Sequence, residues 1–186
     1  MSPASEIVLD LRATHAREQD PAGDGETINL GFVTVGGEKG ELIYVGRDAC
    51  MRSDRGIVPL EKEPYNLALA ERVDELAGAV WGDDWSRALA ELAGINRRTT
   101  ARDRIRKFGL PPALLYGLVK LSERHDAREI SAVARAVARY WDVHRDMPLD
   151  EPLIGLLDLL RDFRGINAFG YWTKLSDVED LLGTPD

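Results

Sequence analysis

The spacing of apolar residues changes period once along the chain, near residue 63. Before that point, short runs alternate in steps of two or are rich in β-branched and aromatic residues, as strands are. Residues 6–11 place Ile7, Leu9 and Leu11 on one face. Residues 27–35 and 41–45 read as two further strands flanking Gly36-Gly37-Glu38-Lys39-Gly40, whose glycines suit a hairpin loop. Residues 56–60 read as one more short strand. Pro21, Gly23 and Gly25 predict a loop over residues 15–26, and the polar stretch 47–55 predicts irregular chain.

After Pro64 the period becomes helical. Leu69, Val73, Leu76 and Val80 recur at steps of four and three, with Pro64 suited to a first turn and Gly78 weakening the end. Trp85, Leu89 and Leu92 predict a second helix that stops at Gly94. Ala101, Ile105 and Phe108 predict a third that runs from Asn96 to Gly109. Pro111-Pro112 opens a fourth, with Leu114, Leu115, Leu118 and Leu121. Residues 127–143 predict a long fifth, with Ile130, Val133, Ala134, Val137 and Tyr140. Asp150 is placed to cap a sixth, rich in leucine from Leu153 to Leu160. Ser176-Asp177-Val178-Glu179 fits a capping box for a last short helix ending at Gly183.

The expected fold class is therefore α+β: a small N-terminal antiparallel β-sheet followed by a predominantly helical region. The expected division is a β-rich region at 1–63, a helical domain at 64–124 and C-terminal helices at 125–186 that form core or a dimer seam.

Composition adjusts this picture in few places. The chain has 186 residues, and its single Cys50 excludes an internal disulfide framework and a multi-cysteine metal site. His15, His125 and His144 are far apart, and no metal or cofactor is expected. Cys50 stands near Arg47 and Arg52, which would lower its pKa, but no histidine is near enough in sequence to make it a nucleophile. The glycines at 36–40 do not match a phosphate loop. No enzymatic constellation emerges. With no long apolar run and no secretory pattern, no membrane association is expected and the expected location is cytoplasmic.

Charge matters more. The net charge of −8 argues against a simple polyanion binder. That average conceals a reversal. Arg97, Arg98, Arg102, Arg104, Arg106 and Lys107 stand against Asp103 alone, a local +5, so the remainder carries −13. On a continuous helix capped by Asn96, Arg98, Arg102 and Arg106 fall at i, i+4 and i+8. Each like-charge pair costs an isolated helix roughly 0.2–0.5 kcal/mol, which a polyanion would recover. An arginine-lined face on a short helix after a tight turn suits the major groove of DNA.

At these residues the sequence resembles a family. Trp81-Gly82-Asp83-Asp84-Trp85, Leu89-Ala90, Gly94-Ile95, Arg98-Thr99 and Leu110-Pro111-Pro112 are similar to a λ-repressor-like helix-turn-helix domain of phage and mobile-element proteins. The resemblance spans residues 78–121. It implies a DNA-binding unit whose second helix begins at Asn96, with double-stranded DNA as partner. It implies DNA contact by Asn96, Arg97, Arg98, Thr99, Arg102, Arg106 and Lys107, with Arg87 a further phosphate contact. Thr100 departs from the family's preferred valine and Asp103 from its frequent tryptophan, and Arg104 falls near the buried side in this register.

The resulting expectation is a sequence-specific DNA-binding transcriptional regulator of phage or mobile-element type, acting as a homodimer with the 97–107 helix in the major groove. The alternative is a protein-interaction inhibitor of a host defence system, anti-CRISPR-like, carrying the helix-turn-helix for autoregulation. In that reading the acids Asp20, Asp24, Glu26, Glu38 and Glu41 meet a basic host protein. RNA also remains open as a ligand. The aromatic cluster Phe163, Phe169, Tyr171 and Trp172, around Arg164 and Lys174, is expected to pack the final segment, with base stacking or partner binding as the alternative.

Overall fold

The computed structural model of the chain describes residues 6–13, 17–19 and 26–144, together with Leu153 and Gly155. The expected α+β class is what it shows: an antiparallel sheet first, then helices. The strands are β1 (Ile7–Leu11), β2 (Arg17–Gln19), β3 (Glu26–Val35), β4 (Glu38–Val45), β5 (Asp48–Ser53) and β6 (Gly56–Pro59). Their order is β1-β3-β4-β5-β6, and β2 pairs with β3 as well. β3 is the hub, since β1 and β2 share one of its edges while β4 takes the other.

Two of these strands were not expected. Residues 17–19 lie in the predicted loop, yet pair with residues 26–28 of β3. Residues 48–53, predicted irregular, form β5 and pair with β4. Their polar side chains conceal the pattern: Cys50 and Met51 are buried, whereas Arg52 satisfies its charge across the ladder on Glu41 at 2.6 Å. Pairing with a longer neighbour makes a strand of residues whose own alternation is weak. Gly36-Gly37 forms the β3–β4 turn, as the glycine pattern predicts.

The ladder between β3 and β4 slips between Asn29 and Phe32. Gly31 sits there at φ +106°, and its N–H donates to Asn29 Oδ1 at 2.9 Å. A Cβ at this position would lie 2.3 Å from the Asp10 carbonyl oxygen, so only glycine fits.

The helices are α1 (Lys62–Trp81), α2 (Trp85–Ala93), α3 (Arg102–Phe108), α4 (Pro112–Ser122) and α5 (Ala127–Val143). α1 buries Leu69, Val73, Ala77 and Val80, much as its spacing predicts. One core joins Leu9, Leu30, Val33 and Leu42 of the sheet to Leu69 and Val73 of α1, Leu89 of α2, Ile105 of α3 and Leu115 of α4. The described parts of residues 1–63 and 64–124 therefore share a single core, and the compact unit extends to Asp142. α5 has its predicted bounds but only Ser131 is buried on it; Ile130 and Val133, expected to pack, are exposed. It is tethered by arginines: Arg128 donates to the Ala79 carbonyl, and Arg135 and Arg139 to Glu91.

Among the described residues no helix is long and apolar enough to cross a membrane. From the unit beginning at Val143, Leu153 and Gly155 are helical. The remainder of the predicted sixth helix, the last capping box and the C-terminal aromatic cluster lie outside the described residues.

Candidate functional site

α2 ends where the sequence stops it. Gly94 adopts the left-handed conformation (φ 60°, ψ 31°), and its N–H reaches back to the carbonyls of Ala90 and Glu91. Asn96 then opens a new turn. Its Oδ1 accepts from the Arg98 N–H at 2.9 Å, the cap that its position predicts.

The next segment corrects the expectation, because residues 97–107 are not one helix. Arg97–Thr100 is a short 3-10 turn, Ala101 is extended (φ −70°, ψ 140°), and α3 starts only at Arg102. Thr100 gives a physical reason. It is fully buried, and a buried hydroxyl needs a partner. Its Oγ1 lies 2.7 Å from the Ser86 carbonyl of α2 and 3.0 Å from the Arg97 carbonyl. The turn is thus tied to α2, and helix resumes after a one-residue break.

The break rearranges the arginines. Arg98 belongs to the 3-10 turn, out of line with Arg102 and Arg106 on α3, so the continuous i, i+4, i+8 row does not exist. Arg102 turns toward α1 and donates Nε–H to Asp74 Oδ1 at 2.8 Å, with a second guanidinium nitrogen on the same oxygen. Asp74 also accepts from Trp85 Nε1 at 2.7 Å. One carboxylate therefore fastens α2 and α3 to α1. No sequence signal singled out Asp74, since its partners are 11 and 28 residues away. Arg97 sits 3.7 Å from Asp84, and Arg87, expected to hold phosphate, pairs with Glu91 at 3.0 Å. Thr99 is half-buried and its N–H donates to the Asn96 carbonyl.

What remains outward is a different set. Ile105 is fully buried and fixes the rotation of α3. Arg104, expected near the buried side, is exposed, with its guanidinium 4.2 Å from the centre of the Phe108 ring. Phe108, expected to pack inward, is 60% exposed and also carries the Lys107 ammonium at 5.3 Å. Such contacts contribute about 0.5–1 kcal/mol at exposed sites and hold both cations in place. Arg98, Arg104, Arg106 and Lys107 make no ion pair with a described residue. Beside them, Arg97, Arg98 and Arg102 rim a shallow depression of about 610 Å³ against Trp85 and Ser86. Exposed guanidinium groups with unfilled donors are suited to phosphate oxygens.

Elsewhere the expected chemistry is occupied. Glu38 and Glu41, two of the acids offered to a basic partner, face Arg55 at 3.5 Å and Arg52 at 2.6 Å. Asp20, Asp24 and the Glu26 side chain lie outside the described residues. Cys50 corrects another expectation: burial, then the nearby Asp48, raise its thiol pKa, so the adjacent arginines do not activate it. Glu91 is the opposite case. Hydrogen bonding from Arg135, followed by Arg87 and their charges, holds its carboxyl below the usual range.

No protein-family model, curated protein or solved structure matches the chain.

Proposed function

We propose that the chain is a DNA-binding transcriptional regulator that engages double-stranded DNA through the outward face of residues 96–107. One observation carries this reading. Most described arginines hold a carboxylate, whereas Arg98, Arg104 and Arg106 gather with Lys107 on one short segment without one. Like charges held together at an exposed surface are stabilised by a polyanion. The Gly94 turn, the Asn96 cap and the resemblance of residues 78–121 to a phage helix-turn-helix domain support the same partner.

α3 has 7 residues, so its reach into the major groove is short. The division of labour follows from that. Arg106 and Arg98 contact base edges or the phosphates beside them, and Arg104 and Lys107 hold the backbone. Arg102 and Arg97 are spent on Asp74 and Asp84 and serve the fold. Binding is the whole activity, with no catalytic step and no cofactor. The protein works as a homodimer on paired half-sites, in the cytoplasm.

The test is selection of duplex sites from a random library, followed by titration of the selected duplex at several salt concentrations. Affinity should fall steeply with salt, and the Arg98→Ala/Arg106→Ala double variant should reduce the log–log salt slope by about 2. The complex should sediment with two protein chains per duplex. An unchanged affinity and slope in the double variant, or no duplex binding by the parent protein, would falsify the reading.

A further inference from the structure

The sheet and the helices enclose a second place where donors collect. Between the β4–β5 turn, the start of α1 and the end of α3 lies a cleft of about 460 Å³. That is within the range of small-molecule sites, roughly 300–1,000 Å³. Its walls are apolar where Leu60, Phe108 and Leu110 meet it.

Three polar groups in it are incompletely used. Tyr44 and Tyr65 are each only 3% exposed, and their hydroxyls lie 2.7 Å apart. Two hydroxyls carry two protons, and one hydrogen bond between them uses one. The second proton has no acceptor among the described residues. Asn66 is 7% exposed, lines the same cleft, and its carboxamide makes no hydrogen bond with a described residue. That leaves the carboxamide open to the cleft as a hydrogen-bonding group. At the rim stands Arg47, which has no ion pair with a described residue, whereas its neighbours Lys62 and Asp48 face each other at 3.4 Å.

We infer that this cleft binds a small organic carboxylate with an aromatic or short aliphatic body. Arg47, the tyrosine pair and Asn66 all line the cleft and supply the donors for the carboxylate, while the body packs on Leu60 and Phe108. All three polar groups can donate, which favours an anion over a cation. The bulk of the ligand faces the end of α3, because Phe108 and Gly109 are part of the wall. Asn66 Oδ1 already lies 3.0 Å from where a Cβ on Gly109 would stand, so there is little slack there. A ligand body packed on the Phe108 ring bears on the same ring that carries the Arg104 and Lys107 cations. Occupancy therefore alters the DNA-facing surface, and the ligand acts as an effector. This last step rests on the DNA-binding reading, whereas the binding site itself does not.

The experiment is calorimetric and NMR titration of the full chain, without DNA, with benzoate, phenylacetate and butyrate. At least one should bind saturably, with amide shifts at Asn66 and Gly109, and benzamide should bind more weakly than benzoate. Arg47→Ala, a surface change that leaves the core intact, should weaken carboxylate binding by about tenfold, the usual effect of losing one charge-assisted contact. Tyr44→Phe, a second variant with the ring retained, should also weaken carboxylate binding relative to the parent. Absence of saturation by all three acids up to about 10 mM, or identical affinity in Arg47→Ala, overturns the site. A duplex affinity that stays constant in saturating carboxylate overturns the effector role alone. Because the first titration contains no DNA, failure of the DNA reading is seen separately.

Discussion

Glu91 shows how much one side chain can be asked to hold. Arg87 of its own helix and Arg135 and Arg139 of α5 converge on its carboxylate, at 3.0, 2.7 and 3.4 Å. Without it, three guanidinium groups face one another and α5 loses its main tether. Replacement by glutamine should cost about 1–2 kcal/mol, the lower range for partly exposed charged contacts. The pH dependence has a definite sign. The native carboxyl titrates below its unfolded value, so its contribution is present above the usual carboxylate range and is lost as pH falls through the native pKa. Urea unfolding should therefore separate Glu91→Gln from the parent at pH 7 and bring them together in acid. Gly31 is the steric counterpart. With φ at +106° and the Asp10 carbonyl in the way, Gly31→Ala should lower stability by about 2–4 kcal/mol, read from the same unfolding curves.

At the level of elements, Asp74 orders the helices around α1. It takes the Trp85 indole N–H from α2 and the Arg102 guanidinium from α3. Asp74→Ala leaves the part-buried indole donor unpaired and releases α3, at a cost of about 2–3 kcal/mol. Tryptophan fluorescence and hydrogen exchange should show the loosening at residues 85–108, with the sheet amides unaffected. Thr100 is the other decisive contact, since it ties the 3-10 turn to α2. Three helix boundaries around this segment were legible in the sequence, because Gly94 and Gly109 stop helices and Pro112 starts one by backbone chemistry alone, whereas Asn96 caps only the 3-10 turn. The break at Ala101 was not. It depends on where a hydroxyl at Thr100 finds a partner, and Ser86 is 14 residues away.

Over the whole molecule, the tyrosine pair links the sheet to α1 through its hydrogen bond and an edge-on ring contact. Burial pushes the Tyr44 hydroxyl up to about 12, and Tyr65 well above its ordinary value. The native state thus keeps protons that the unfolded chain releases near pH 10. Stability is full below that pH and should fall as pH rises from about 10 toward 12, by about 1.4 kcal/mol per pH unit for each tyrosine. Circular dichroism and tyrosinate absorbance should change together in that window, and Tyr44→Phe should flatten the decline.

The sequence by itself determined the α+β order, the β3–β4 turn, the helix stops and the concentration of charge between residues 97 and 107. These are local properties: period, turn chemistry and charge count need no distant neighbour. Only the tertiary structure decided which arginines are free. Arg102 and Arg104 differ by two positions in one basic run, but Asp74 lies across from the first and Phe108 beneath the second. The same holds for β5, made a strand by its ladder partners, and for the cleft at Asn66. Partners brought together from distant parts of the chain set those outcomes, and no local pattern records them.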